Sequence, residues 1–197
     1  MNQERAALMK AVPGYLIIIK TAVVLFIFIL VVFLVTGCLS GPVSIDETVF
    51  IEVTGQGVEG ENRITLKELK DMDEGLVEDN YFSINTYGTR EYTRFKGVWV
   101  WYALQNSVEL KDSASTVVFI AEDGYKVEYS LDDVKKEDYI DEQNPDTKYK
   151  MLLAWEQDEE EFDPEKGSPF QLVVGQKEPG DVNKPYWVRN IEKIVID

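Results

Sequence analysis

Apolar residues are laid out in two ways along this chain. From Leu16 to Thr36 they run on with Lys20 as the only charge, and from Val23 to Val35 there is none. Beyond Thr48 the runs become short and alternating. Val49, Ile51 and Val53 recur every second position, the period of a half-buried strand, and Gly55, Gly57 and Gly60 end it. Thr65 with Glu68 three residues on forms a capping box for a short helix through Met72, with Leu66 and Leu69 on one side. Tyr81–Thr86 and Glu91–Phe95 read as two strands of a hairpin joined by Tyr87, Gly88 and Thr89. Gly97 then precedes a helix over Val98–Asn106, with Val98, Trp101, Tyr102 and Leu104 as its apolar face.

The second half repeats this grammar. Val117–Ala121 is a continuous apolar run suited to a central strand, Asp123 and Gly124 turn the chain, and Tyr125–Tyr129 alternates again. Ser130 and Asp133 cap a brief helix bearing Leu131 and Val134. Polar loops over Glu137–Asp146 and Glu156–Lys166 flank a strand at Met151–Trp155. Strands at Phe170–Val174 and Trp187–Ile196 close the chain, the last through Ile191, Ile194 and Ile196. Many short strands with a few short helices predict a single mixed, strand-rich α+β domain over residues 49–197.

The uninterrupted run has a different meaning. Arg5, Lys10 and Lys20 precede it, and Val35, Thr36 and Gly37 lead directly into Cys38, the only cysteine of the chain. That is the layout of a lipoprotein signal: positive flank, apolar core, then small residues before a cysteine that becomes the acylated N-terminus. Residues 1–37 are on this reading a signal peptide, Cys38 the lipidation site and 38–48 a tether. An uncleaved membrane anchor is the alternative, since about 20 apolar residues cross a bilayer as a helix and the basic flank favours a cytoplasmic N-terminus. Both readings place the domain at the cell membrane, on its extracytoplasmic side. A buried core helix is a third, opposed by the lack of any polar face.

Charge and composition narrow the chemistry. The chain carries 20 basic and 36 acidic residues, a net charge of −16, and no histidine. With Arg5, Lys10, Lys20 and Glu4 set aside, the remainder holds 17 against 35. So acidic a surface repels phosphate backbones, which argues against a nucleic-acid partner. Without histidine, and without cysteine after Cys38, there is no Ser-His-Asp or Cys-His catalysis, no imidazole or thiolate zinc, no iron–sulfur cluster and no structural disulfide.

The order of several blocks resembles the molybdopterin-binding domain of the sulfite oxidase type. They are Phe50–Gly55 followed by Ile64–Leu69, Phe95–Leu104, Val118–Tyr125, Leu152–Trp155, Gly167–Val174 and Tyr186–Ile191. The resemblance implies a pterin-bound molybdenum, oxygen-atom or electron transfer, and one cysteine thiolate on the metal. That cysteine would fall near Tyr81–Tyr87, where this chain has Tyr81, Phe82, Ser83, Ile84, Asn85, Thr86 and Tyr87. Tyr186 stands where relatives often carry a lysine, and their histidine-bearing N-terminal arm has no counterpart. An oxygen ligand does not replace a soft thiolate, so either the pterin alone holds the metal beside Ser83, Asn85 and Thr86, or the metal has been lost.

Candidate binding residues follow from both lines. Arg90, Arg94 and Lys96 form a basic cluster in an acidic domain, and strand alternation puts Arg90, Tyr92, Arg94 and Lys96 on one face. Guanidinium forks suit an oxyanion or a pterin phosphate. With Asn85, Thr86 and Arg189 they make the candidate cofactor site, for molybdopterin or, in a metal-free module, for a small anion or a partner protein that includes a redox partner. No metal ligand is assigned. The acidic stretches Asp158–Glu165 and Asp141–Asp146 invite calcium but lack EF-hand spacing and read as solvated loops. Asp123, Gly124 and Tyr125 read as a turn. Trp99, Trp101, Trp155 and Trp187, with ten tyrosines, read as core or strand faces unless several gather around one cleft.

Overall fold

A computed structural model describes residues 44–197; the signal or anchor segment, Cys38 and the first part of the tether lie outside the described residues. Helix α1 (Ile45–Thr48) leads into β1 (Phe50–Thr54), whose Ile51 and Val53 are fully buried while Phe50, Glu52 and Thr54 face outward. β2 (Asn62–Thr65) returns antiparallel to β1. Thr65 caps α2 (Leu66–Lys70) with the reciprocal Thr65–Glu68 bonds expected of a capping box, and Leu66 and Leu69 are its buried face.

β3 (Leu76–Ile84) and β4 (Arg90–Trp99) form the long hairpin. Both strands outrun their sequence boundaries. β3 begins five residues before Tyr81, because Glu78, Asp79 and Asn80 are exposed and carry no apolar alternation to announce a strand. β4 continues through Gly97, where a helix entry was expected, and α3 spans Val100–Ser107. The reason is a bulge between Lys96 and Gly97 against β9 (Leu152–Gln157). A Cβ at Gly97 would stand 2.2 Å from Leu153 O, so only glycine lets the two backbones close there.

The remaining elements are β5 (Thr116–Ala121), β6 (Lys126–Ser130), α4 (Leu131–Lys135), the two-residue β7 (Tyr139–Ile140) and β8 (Lys148–Tyr149), β10 (Glu160–Glu161), β11 (Gln171–Val173) and β12 (Ile191–Ile196). One sheet runs β2-β1-β12-β5-β6, with β12 parallel to β1 and antiparallel to β5. A second runs β10-β9-β4-β3, with β11 added on β9. The Glu137–Asp146 stretch is thus not wholly loop, and the closing strand starts at Ile191 rather than Trp187. Both sheets feed one buried cluster that includes Ile51, Phe95, Phe119, Leu153, Phe170 and Ile194. The mixed, strand-rich α+β reading of the domain holds. Among the described residues no helix is long and apolar enough to cross a membrane.

Candidate functional site

Hairpin geometry decides what Asn85 and Thr86 do. The Asn85 side chain accepts from the N–H groups of Tyr87 and Thr89, both at 2.9 Å, and Gly88 sits at a φ of 78° to complete the turn. Asn85 therefore shapes the turn, and Thr86 is exposed on it. Just upstream, Ser83 is 1% exposed and its Oγ has no hydrogen-bond partner. The main chain on both sides of Ser83 is occupied by the buried Asn183: its Nδ2 donates to Phe82 O at 3.0 Å and to Val174 O at 2.9 Å, and its Oδ1 accepts from Ile84 N at 2.9 Å.

Alternation along β4 is as the sequence implies, with Thr93 and Phe95 buried and Tyr92, Arg94 and Lys96 on the other face. Both arginines of the strand are paired with carboxylates. Arg94 Nη2 lies 2.6 Å from Glu78 Oε1 across the hairpin, and Arg90 Nε lies 3.2 Å from Glu142 Oε1. The side-chain bond from Arg94 holds the Glu78 carboxyl below its usual range. Arg189 is exposed elsewhere, in a shallow groove with Gln157, Asp163 and Lys166 that none of Asn85, Thr86, Arg90 or Arg94 lines. The structure does not bring the five candidate residues together around one opening.

Glu142, read from the sequence as part of a solvated acidic loop, ties this face to a second loop. Its carboxylate accepts from Gly180 N, Gln176 Nε2 and Arg90 Nε, and the Gly180 N–H, then Gln176 and Arg90, hold its pKa below 4.5 against the opposing effect of burial. Gln176 is itself fully buried, accepts from Glu142 N through its Oε1, and exchanges main-chain bonds with Ile140. Asp141, one residue before, is buried and accepts from Gln143 N and Asn144 N at one oxygen and from Tyr92 Oη at the other. These bonds rigidify the Ile140–Asn144 and Gln176–Asp181 segments.

Beside those segments lies a cavity of about 250 Å³. Its distinctive lining is Tyr129 on β6, Tyr139 on β7 and Tyr186, with Glu128, Lys177 and Asp181. Gly175 completes a wall, since a Cβ there would come within 2.8 Å of the Tyr149 ring and 2.9 Å of Tyr139 Cβ. Asn183 lines the same cavity while its amide holds the end of β3. Tyr139 donates to Asp133 O at 2.9 Å, whereas the Tyr129 hydroxyl is buried with no partner. Burial first, then the neighbouring Tyr139, Tyr186, Asp133 and Asp181, push the Tyr129 phenol far above its usual pKa, so it stays a neutral hydroxyl.

The other acidic and aromatic candidates resolve locally. Asp158 Oδ1 accepts from Arg94 N, Glu161 pairs with Lys70, and Asp163 caps a short turn and pairs with Lys166. Among the described residues no group of three or more carboxylates converges as a metal site would require. Asp123 and Gly124 form the expected turn, with Gly124 N bonded to Ala121 O and a φ of 84°. Trp155 and Trp187 are buried in the core, while Trp99 and Trp101 are half-buried beneath Lys150 and Lys135.

No family model and no curated protein matches this chain. Among solved structures, the sulfane dehydrogenase SoxCD from Paracoccus pantotrophus has the same fold: TM-score 0.55, 16% identity, over 79% of this chain. The present chain spans 39% of that chain's length. A molybdenum-bound pterin of the kind the sequence resemblance implies does not fit the residues at the end of β3. The Tyr81–Tyr87 stretch offers no thiolate, the Ser83 hydroxyl within it is buried, Asn183 occupies the flanking main chain, and Arg90 and Arg94 each contact a carboxylate.

Proposed function

We propose that the chain is an exported binding module, tethered to the extracytoplasmic face of the cell membrane, that uses a sulfite oxidase type fold to hold a small ligand without molybdenum chemistry. One observation carries it: the Tyr81–Tyr87 stretch, where the resemblance expects the thiolate, has no cysteine and holds the buried, unpartnered Ser83, and residues 39–197 contain no cysteine to substitute. The tether rests on the apolar run and Cys38 of the sequence.

A second reading, a molybdopterin oxidoreductase lacking the usual ligand, is favoured by the fold shared with a sulfane dehydrogenase. On that reading Asn85, Thr86, Arg90, Arg94 and Arg189 contact the pterin, and the Arg90 and Arg94 ion pairs must open first. Elemental analysis and fluorescence of the oxidised pterin decide between them, on the full chain produced in a host that makes the cofactor. Neither molybdenum, tungsten nor pterin in folded protein is the expected result; near one metal per chain would overturn the binding-module reading. The tether is tested by the mass of the mature protein: lipidation at Cys38 shortens the chain and adds acyl mass, and Cys38→Ala prevents both.

A further inference from the structure

We infer that the groove beside Arg189 is the ligand site of this module and that it takes a small monocarboxylate. This deepens the binding-module reading and rests on it. The groove lies where the second neighbour of β9 changes: β10 pairs with Glu156 and Gln157, whereas β11 pairs with Leu152, Leu153 and Ala154. Gln171 begins β11 at that break. It is 3% exposed, and its side-chain amide makes no hydrogen bond among the described residues. The hydroxyls of Ser83 and Tyr129 are sealed from solvent, but the Gln171 amide keeps a little accessible surface, and it opens onto the groove. Buried polar groups rarely stay unpaired unless water or a ligand completes them.

Arg189 supplies the charge. Of the four described arginines, Arg63, Arg90 and Arg94 each contact a carboxylate, and Arg189 does not. Its side chain is exposed on the rim, so the whole five-donor fork is open to a ligand. Asn190 beside it stands at a φ of 51° with its carbonyl accepting from Glu122 N at 3.0 Å, and its exposed amide is also without a partner among the described residues. Lys166 is a second cation, loosely engaged: its Nζ lies 3.1 Å from Asp163 Oδ2 and 82% of its side chain is accessible. Among five cavities formed by the described residues, this is the one whose lining holds more cations than anions, Lys166 and Arg189 against Asp163. That balance matches a singly charged anion. A doubly charged oxyanion is left under-compensated in a domain with 17 basic against 35 acidic residues. A guanidinium fork with an amide beside it fits the two coplanar oxygens of a carboxylate. The volume of about 220 Å³ lies below the range of roughly 300–1,000 Å³ that holds drug-sized ligands, so the acid is small, and the half-buried Phe162 in the lining offers its alkyl end a surface.

The test uses the full chain in a non-ionic detergent, with metal content measured on the same batch. Sodium propionate, sodium chloride and sodium sulfate are titrated by calorimetry at neutral pH and matched ionic strength. Saturable propionate binding is expected, with Kd at or below about 1 mM, and neither chloride nor sulfate saturates. Arg189→Gln weakens propionate binding about tenfold or more. Arg189→Lys keeps the charge without the fork and recovers only part of that loss. Gln171→Met removes the amide at similar volume and weakens binding about threefold or more. Lys126→Gln makes the same charge change at an exposed β6 position outside the groove and leaves binding unchanged. Should Gln171→Met unfold, the variants of the exposed Arg189 carry the comparison alone. No saturation with propionate, affinity equal in wild type and Arg189→Gln, or saturable sulfate binding instead would each overturn the assignment. A molybdenum-loaded batch would defeat the underlying reading separately, since the metal assay does not depend on propionate.

Discussion

The outer face of β4 and the tyrosine cavity stand on two sides of the same loop, and they differ in what their polar groups have left to give. On β4 every guanidinium has found a carboxylate: Arg90 with Glu142, Arg94 with Glu78. Beside the cavity the Tyr129 hydroxyl is buried with no partner, and Asp181 in its lining accepts only the Lys177 N–H. Binding capacity follows from polar groups that folding leaves unsatisfied inside a concave site, and a run of like charges in a sequence does not measure it. An exposed ion pair adds little to stability, and the single contact each arginine makes, through Nη2 of Arg94 and Nε of Arg90, uses part of its fork.

Asn183 joins the two regions, and its removal is the most damaging way to break the contrast. Asn183→Ala removes the side-chain partner of Ile84 N and of Phe82 O and one of two partners of Val174 O, which keeps its bond from Trp187 Nε1 at 2.8 Å, and each buried orphan costs about 1–3 kcal/mol. Water entering from the cavity offsets part of this, so a loss of about 3 kcal/mol in urea unfolding is expected. Asn183→Asp separates shape from bonding. It keeps the acceptor for Ile84 N but turns a carboxylate oxygen toward two carbonyl oxygens, and is expected to destabilise at least as much. A loss under about 1 kcal/mol for both variants would mean that the end of β3 is not held as described.

Glu142 gives the next largest effect, and it depends on pH. Because the Gly180 N–H, Gln176 and Arg90 depress its pKa in the folded protein, its contribution to stability is fully present above the unfolded value of 4.5. That contribution is lost as pH falls through the lower, folded value. Wild type is therefore expected to lose stability more steeply than Glu142→Gln on acidification below 4.5. Urea midpoints taken at neutral pH and at successive acidic steps read the difference. Parallel curves would show that Glu142 does not anchor the loop between β4 and the cavity.

How much of this could be read from the chain depends on the kind of signal. The alternating Val49–Val53 strand, the continuous apolar run Val117–Ala121 and the Thr65–Glu68 cap were legible because the apolar pattern and the capping chemistry are local. The early part of β3 was not, because Glu78, Asp79 and Asn80 lie in the exposed half of a strand whose ladder is formed with β4. The passage of β4 through Gly97 was hidden for a similar reason, since the close approach of Leu153 that demands glycine is a tertiary fact. The aromatic richness of the chain was visible, but not that Tyr129, Tyr139 and Tyr186, far apart in sequence, would meet at one cavity. The basic face of β4 was visible too. Its neutralisation by Glu78 and Glu142 was not, because those partners arrive from a neighbouring strand and a distant loop.

Within the cavity, Tyr129→Phe is a small perturbation of stability with an informative sign. Removing a hydroxyl that bonds nothing in the protein relieves a buried orphan, so the ligand-free variant is expected to be unchanged or up to about 1 kcal/mol more stable. Tyr139→Phe is the internal contrast. Its hydroxyl donates to Asp133 O, and losing it leaves that carbonyl without the bond, so this variant is expected to be the less stable of the two. If Tyr129→Phe proves the more destabilising, an ordered water or ligand completes the hydroxyl even in purified protein.

Arg94→Ala makes the smallest change and tests the opposite side of the comparison. Both partners of its pair are nearly half exposed, with side-chain accessibilities of 45% and 42%, and solvent and salt screen such a pair strongly. No resolvable shift of the urea midpoint is expected. The informative measurement is sulfate or phosphate titration of the wild type beside this variant. If the guanidinium is committed to Glu78, neither protein binds the anion saturably and the two titrations superimpose. If instead wild type binds and Arg94→Ala does not, the pair opens on demand and the basic face regains the anion role that its sequence first suggested. Glu78→Gln would then tighten anion binding further, since it removes the competitor while leaving the guanidinium in place.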